Sequence, residues 1–159
     1  MATETLRDLC DAEFQDLYDA EQKIASALPT FITLATFDRL KNVLVRHLEQ
    51  CRIHLERLEL LFNERDLPKP VARPSPIAAL IQDAERRMQS MREGDVRDAA
   101  LIAAAQLIAH YEIAAYGCAC AYSDQLGDAE AARLLQQTLE DEHRVDREHR
   151  DDDQRPCDA

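Results

Sequence analysis

The chain has 159 residues, room for one domain with a buried core, and sets 31 Asp and Glu against 19 Lys and Arg, a net charge of −12. That acid excess argues against a nucleic-acid backbone or an anionic membrane as the main partner and leaves cation binding open. With only 3 Gly and 5% aromatic residues, the chain is built from Ala, Leu, Glu and Arg, a helix-forming composition.

No basic-plus-apolar leader is apparent, and no apolar run reads as long enough to span a bilayer. Cys10, Cys51, Cys118, Cys120 and Cys157 make an odd set without zinc-type pairing. Read as reduced thiols, they place the protein in the cytoplasm.

The first helix is expected from Thr3–Glu4 to Phe31–Ile32. Leu6, Leu9, Phe14, Leu17, Ile24, Leu28 and Phe31 keep one face apolar at helical period, and Glu21 falls inside that face. Pro29 should loosen the last turn. Residues 33–36 form a tight turn, with Thr36 a candidate N-cap. The second helix, from Phe37 to Glu64, carries Leu40, Val43, Leu44, His47, Cys51, Leu55, Leu58 and Phe62 on its apolar face, with His54 beside them.

Pro68, Pro70, Pro74 and Pro76 make the next stretch an extended crossover. Ser75-Pro76 then starts a short helix to about Arg92, which stops near Gly94. Its apolar residues Ile77, Leu80, Ile81, Met88 and Met91 are expected to leave a patch for a partner copy. Asp95 can cap a third long helix running to Leu126, and Gly127-Asp128 separates it from a fourth that begins near Ala129 and reaches the His149 region. Residues 1–149 thus read as one domain, and 150–159 as a charged, frayed tail. Two tight turns and one long connection make an all-α, antiparallel four-helix bundle of the ferritin-like kind, with a short crossover helix between the second and third long helices.

Each long helix places a metal-capable group on its buried stripe: Glu21; His47 with His54; Glu112; and Glu142 with Asp146. Glu112 precedes the second tight turn by about as many residues as Glu142 follows it, so the two should face each other. Glu21 should lie level with His47 to Cys51. Buried carboxylates at one depth repel one another and lose hydration, which raises their pKa values. One or two iron or manganese ions would remove both penalties, as in di-iron and di-manganese bundles.

Simpler readings exist for each residue. Glu21 could pair with an Arg, and His47 could bond a carbonyl. His54 lies nearly two turns beyond His47, which leaves open whether both reach one ion. Cys51 reads as a small buried hydrophobe. Glu140 and His143 have Glu-x-x-His spacing but lie off the apolar face. Asp146 serves as a ligand or as an acceptor for a histidine behind the site. Arg57, Arg86 and Arg87 could neutralise inner carboxylates without metal.

Three blocks carry a resemblance: Asp16-Leu-Tyr-Asp-Ala-Glu21-Gln-Lys-Ile, the run from His47 to Glu59, and Asp98-Ala-Ala-Leu-Ile-Ala-Ala-Ala-Gln with His110-Tyr-Glu-Ile-Ala-Ala-Tyr-Gly117. They resemble the YciF/YciE family, a ferritin-like family of unknown function, over nearly the whole chain. The resemblance implies a homodimeric, cytoplasmic, stress-associated bundle similar to rubrerythrin-type di-iron domains, with a ferroxidase label, and carries Glu21, Glu112, Glu142 and Asp146 over as inward carboxylates. The chain departs from that pattern on the second helix. Where relatives often have Glu-Glu-Thr it has Glu49-Gln50-Cys51, and Arg52 stands where a Glu-x-x-His would end. Three functions follow as expectations: an iron or manganese protein oxidising Fe(II) with oxygen or peroxide, a metal-free dimeric stress or interaction module, and a manganese-type catalase.

Overall fold

The structure, a computed structural model, describes residues 4–71 and 73–153, so Cys157 and the end of the expected tail lie outside the described residues. Its helices are α1 (Leu6–Leu34), α2 (Asp38–Arg65), α3 (Pro76–Gln89), α4 (Asp95–Gln125) and α5 (Ala129–Asp153), and the described residues contain no strand. α5 continues through Arg150 to Asp153, where a frayed tail was expected.

α1 starts at a capping box. Thr5 Oγ1 accepts from the Asp8 backbone N–H while the Asp8 carboxylate accepts from the Thr5 N–H. α1 runs through Pro29 to Leu34 as one helix. Thr36 does not cap α2. Phe37 holds the N-cap position, and the N–H groups of Thr36 and Phe37 donate to the two oxygens of Asp98 at 2.8 and 2.9 Å. Asp98 is itself buried in the first turn of α4, so the first tight turn is tied to the start of α4. At the opposite end, Arg65 closes α2 by pairing with Asp11 of α1 at 2.5 Å and with Asp128 of the second tight turn at 2.6 Å.

These two ties fix the topology. α2 runs away from the first turn and α4 also starts there, so α2 and α4 are parallel and the connection between them travels the length of the bundle. α3 rides on that connection. Ile77, Ile81, Ala84 and Met88 are buried in the core cluster shared with α1 and α4. The apolar face of α3, expected to stay open for a partner, is therefore used within the chain.

α4 is long and apolar enough to cross a bilayer by length and composition, contrary to the sequence reading. In the bundle it is a core helix, packed against α1, α3 and α5, with the buried acids Asp98 and Glu112 on its inner face.

The core is divided in two. One apolar cluster holds Ala20, Ile24, Leu44, Cys51, Ala105 and Ile108, beside the first turn and α3. The other holds Phe14, Leu17, Leu58, Leu61, Tyr116 and Leu135, beside the second turn. On α1 the boundary falls between Leu17 and Ile24, on α2 between Cys51 and Leu58, and on α4 between Ile108 and Tyr116. Glu21, His54 and Glu112 occupy those gaps, so a polar layer crosses the bundle at one depth.

Candidate metal centre

All six residues singled out from the sequence are buried: Glu21, His54, Glu112 and Glu142 are 0% exposed, His47 1% and Asp146 2%. Two groups form from five of them together with Cys51. In one, ligand atoms of Glu21, His54 and Glu142 lie within 4.8 Å of one another; in the other, those of His47, Cys51 and Glu112 do. Two donors on one ion sit at most about 4.5 Å apart, the sum of two metal–ligand bonds, so sub-ångström shifts would bring either group into coordination.

Glu21 faces His54, one to two turns beyond its expected level at His47 to Cys51. His54 Nδ1 is 2.9 Å from Glu21 Oε1. The offset follows from helix geometry: side chains lean toward their own N-terminus. In an antiparallel pair joined by a turn, an α1 side chain leans away from the turn and an α2 side chain toward it. The partner of Glu21 is therefore found later on α2. Glu142 of α5 lies beside Glu112 of α4, the equal-depth pairing expected from the sequence.

The buried tyrosine Tyr116 donates its hydroxyl to Glu21 Oε1 at 2.7 Å. It was not read as a site residue, although it stands one turn after Glu112 on the same face. His54 Nδ1 is also 3.1 Å from Glu142 Oε1, and its Nε2 is 3.5 Å from Asp141 Oδ2. Burial disfavours a charged His54, but the charge of Glu21 and contacts with Asp141, Glu142 and Glu21 outweigh it, and the imidazole pKa rises well above its usual value. Burial, aided by the charges of Glu142 and Glu21, holds the Glu112 carboxyl well above the ordinary carboxylate range. His47 is pushed down by burial. Cys51 is pushed up by burial and by the charges of Glu21, Glu112 and Glu142.

The decisive feature is the number of polar atoms here with no well-formed hydrogen bond: Glu21 Oε2, both nitrogens of His47, both oxygens of Glu112 and Glu142 Oε2, with Glu142 Oε1 and His54 Nε2 making only the ion-pair approaches just described. Buried polar side-chain atoms normally have a partner, and each exception calls for an explanation such as an ion. The residue types, nitrogen and carboxylate oxygen with one thiol, fit a divalent metal.

The other residues weighed from the sequence take these places. Asp146 joins neither group; it pairs with Arg150 and lies 3.4 Å from His110. Of the arginines proposed as neutralisers, Arg86 and Arg87 pair with Asp83 at the surface, while part-buried Arg57 bonds Thr138 and Asp141 of α5 and so touches the edge of the layer through Asp141 rather than Glu21, Glu112 or Glu142. Cys51 is packed in the apolar cluster beside the first turn, as its small-hydrophobe reading expected, and its Sγ also lies within 4.8 Å of donor atoms of His47 and Glu112. His149 was missed. It is fully buried with both nitrogens unpartnered, its ring centroid 5.9 Å from that of His47, and burial drops its pKa to about 3. Its place on the inner face of α5, one turn past Asp146, was the available signal. Glu140 and His143 are exposed, as their off-face position predicted.

With this geometry in view, comparison with known proteins is informative. The family described as Domain of unknown function (DUF892) matches residues 5–151. Protein YciF of Escherichia coli (strain K12) is 35% identical over 147 residues, 92% of this chain and 89% of YciF. The chain belongs to the DUF892 family. Two solved structures share its architecture. The E. coli stress protein YciF has a TM-score of 0.89 at 34% identity, covering 94% of each chain. YcfI from Rhodopseudomonas palustris has a TM-score of 0.87 at 35% identity, covering 92% of this chain and 94% of that one. In this DUF892 chain, the blocks that carried the resemblance are those that deliver Glu21, His47, His54 and Glu112 to the polar layer.

Proposed function

We propose that this DUF892 protein is a ferritin-like metal-binding stress protein whose polar layer holds one or two iron or manganese ions for oxidation of Fe(II) by oxygen or peroxide. The observation that carries the reading is the set of unpartnered buried carboxylate and imidazole atoms between two apolar half-cores. Glu21, His54 and Glu142 would hold one ion, and Glu112 with His47 would offer a second position. A bound ion would supply the redox chemistry. The chain's part is to fix the donors: Tyr116 holds one oxygen of Glu21, and the two half-cores keep bulk water out. The long α2–α4 connection supports the ferritin-like assignment, and resemblance to a named stress protein supports the setting. Free thiols at Cys10, Cys51, Cys118 and Cys120 support a reducing, cytoplasmic location.

A homodimer belongs to the same proposal. With the α3 face used internally, the support comes from α4, whose outer side exposes Val96 at 71% and Leu107 at 58%.

A second, metal-free reading rests on a specific observation. Protonated His54 between Glu21, Glu142 and Asp141 would neutralise part of the layer by itself, and the Rhodopseudomonas relative is described as a proposed structural protein. Metal analysis of the purified protein, then anaerobic Fe(II) titration and oxygen consumption, separates the two. Bound metal with oxidation above a Glu21→Gln control supports the first; no metal and no oxidation supports the second.

A further inference from the structure

The polar layer is chemically uneven, and its two ligand groups suit different ions. Glu21, His54 and Glu142 offer two carboxylates and one imidazole, a hard, oxygen-rich set suited to iron or manganese. His47, Cys51 and Glu112 offer one nitrogen, one sulfur and one carboxylate. We propose that His47 Nε2 or Nδ1, Cys51 Sγ and one Glu112 oxygen form a thiolate-containing site for a zinc-class divalent ion. The inference deepens the metal-binding reading by assigning the second position to another metal class, but it stands on Cys51, which that reading does not use.

Three observations support it. Cys51 is fully buried, and its Sγ lies within 4.8 Å of a His47 nitrogen and a Glu112 oxygen. Neither His47 nitrogen has a hydrogen-bond partner, and neither does either Glu112 oxygen; Glu112 lies 3.5 Å from His47 Nε2 as its nearest ion-pair contact. If Cys51 were only filling space in the apolar cluster beside it, those four atoms would be expected to find partners elsewhere. The three donors also come from two parallel helices, α2 and α4: His47 and Cys51 are one turn apart on α2, and Glu112 faces them from α4. One-turn spacing puts two donors on the same face, the arrangement paired helical ligands require.

The donor set selects the ion. Thiolate favours zinc and similar borderline ions over manganese or magnesium, which prefer oxygen. Zinc accepts sulfur, nitrogen and carboxylate oxygen in one tetrahedral shell, and three protein ligands leave a fourth position for water or a small ligand. On binding, the metal replaces the Cys51 thiol proton, which leaves for solvent, and no electron moves.

The test uses the full chain, stripped with chelator and titrated with Co(II) under anaerobic conditions. Wild type is expected to develop a near-ultraviolet sulfur-to-cobalt charge-transfer band that saturates at one ion per chain and is displaced by Zn(II). The band should be lost in Cys51→Ala and Cys51→Ser, and retained in Cys118→Ala. Zn(II) affinity should drop at least ~100-fold in Cys51→Ala, more than loss of an outer-shell contact produces. A wild type without the band overturns the proposal, as does a band that persists in folded Cys51→Ala or disappears in Cys118→Ala. Circular dichroism checks folding. If neither Cys51 variant folds, cadmium-113 resonance of Cys118→Ala decides: a thiolate-shifted signal supports the site, and a signal in the oxygen–nitrogen range overturns it. Mn(II) binding, which reports on Glu21, His54 and Glu142, is measured in parallel, so failure of that group leaves the Cys51 result intact.

Discussion

Glu112→Gln should stabilise the metal-free protein, and the gain should grow with pH. Glu112 is fully buried, both its oxygens lack partners, and burial with the charges of Glu142 and Glu21 raises its pKa. With a raised folded pKa, the folded state holds a proton that the unfolded chain has released. The favourable contribution of the neutral acid is complete below the unfolded pKa, near 4.3, and is lost as pH rises toward the folded value, at ~1.4 kcal/mol per pH unit. Above the folded pKa the loss levels off. Gln is neutral at every pH and can donate its amide to the adjacent Glu142. Removing an unsatisfied buried polar or charged group is worth ~1–3 kcal/mol, and in a chain of this size each kcal/mol moves Tm by about 2–4 °C. Thermal melts in chelator from pH 4 to pH 8 should show wild type and Glu112→Gln converging at the acid end and separating toward neutrality, with the variant higher. A variant no more stable than wild type at pH 7 would refute the reasoning and make Glu112 a satisfied structural residue.

Three further outcomes follow from the same geometry. His149, with a folded pKa of about 3, should make the apo-protein acid-sensitive: below pH 6.5 the unfolded chain takes up a proton that the folded one does not, so stability falls toward pH 3 and a His149→Gln variant flattens that limb in urea melts. Arg65 lies over the Phe14 ring at 4.5 Å and pairs with Asp11 and Asp128, so Arg65→Met should cost on the order of 3 kcal/mol by chemical denaturation, since two acids lose their partner. Light scattering at micromolar concentration should give a dimer mass, and Leu107→Glu on the exposed face of α4 should shift it toward monomer; wild type at monomer mass would remove the dimer proposal.

Much of this molecule was legible in its residues. Helical periodicity around Glu21, His47, Glu112 and Glu142 was enough to draw the helices, and the proline run from Pro68 to Pro76 marked the crossover. What sequence could not resolve was set by three-dimensional detail. The lean of side chains on antiparallel helices moved the partner of Glu21 from His47 to His54. Asp98 took over a capping task assigned to Thr36, because a contact from a residue 62 positions away competes with the local one. Asp146 looked equivalent to Glu142 on the α5 face, yet Arg150, one turn later, claims it. Cys51 has the sequence profile of a core hydrophobe and packs as one; the unpartnered atoms of His47 and Glu112 beside it, which the proposed thiolate site rests on, come only from the three-dimensional structure. The α3 stripe could have been an outer patch or an inner seam; the fold of the crossover onto α1 and α4 decided for the seam.

The most direct test of the central claim is equilibrium Mn(II) binding by the chelator-stripped protein, read by the loss of the free-ion electron paramagnetic resonance signal, beside a melt at saturating metal. The account predicts binding to wild type, lost in Glu21→Gln and Glu142→Gln, and a rise in Tm equivalent to ~2.7 kcal/mol once free metal exceeds Kd by a hundredfold. No uptake by wild type and no shift in Tm with either Mn(II) or Fe(II) would contradict it and leave His54 as the counter-charge of a metal-free bundle.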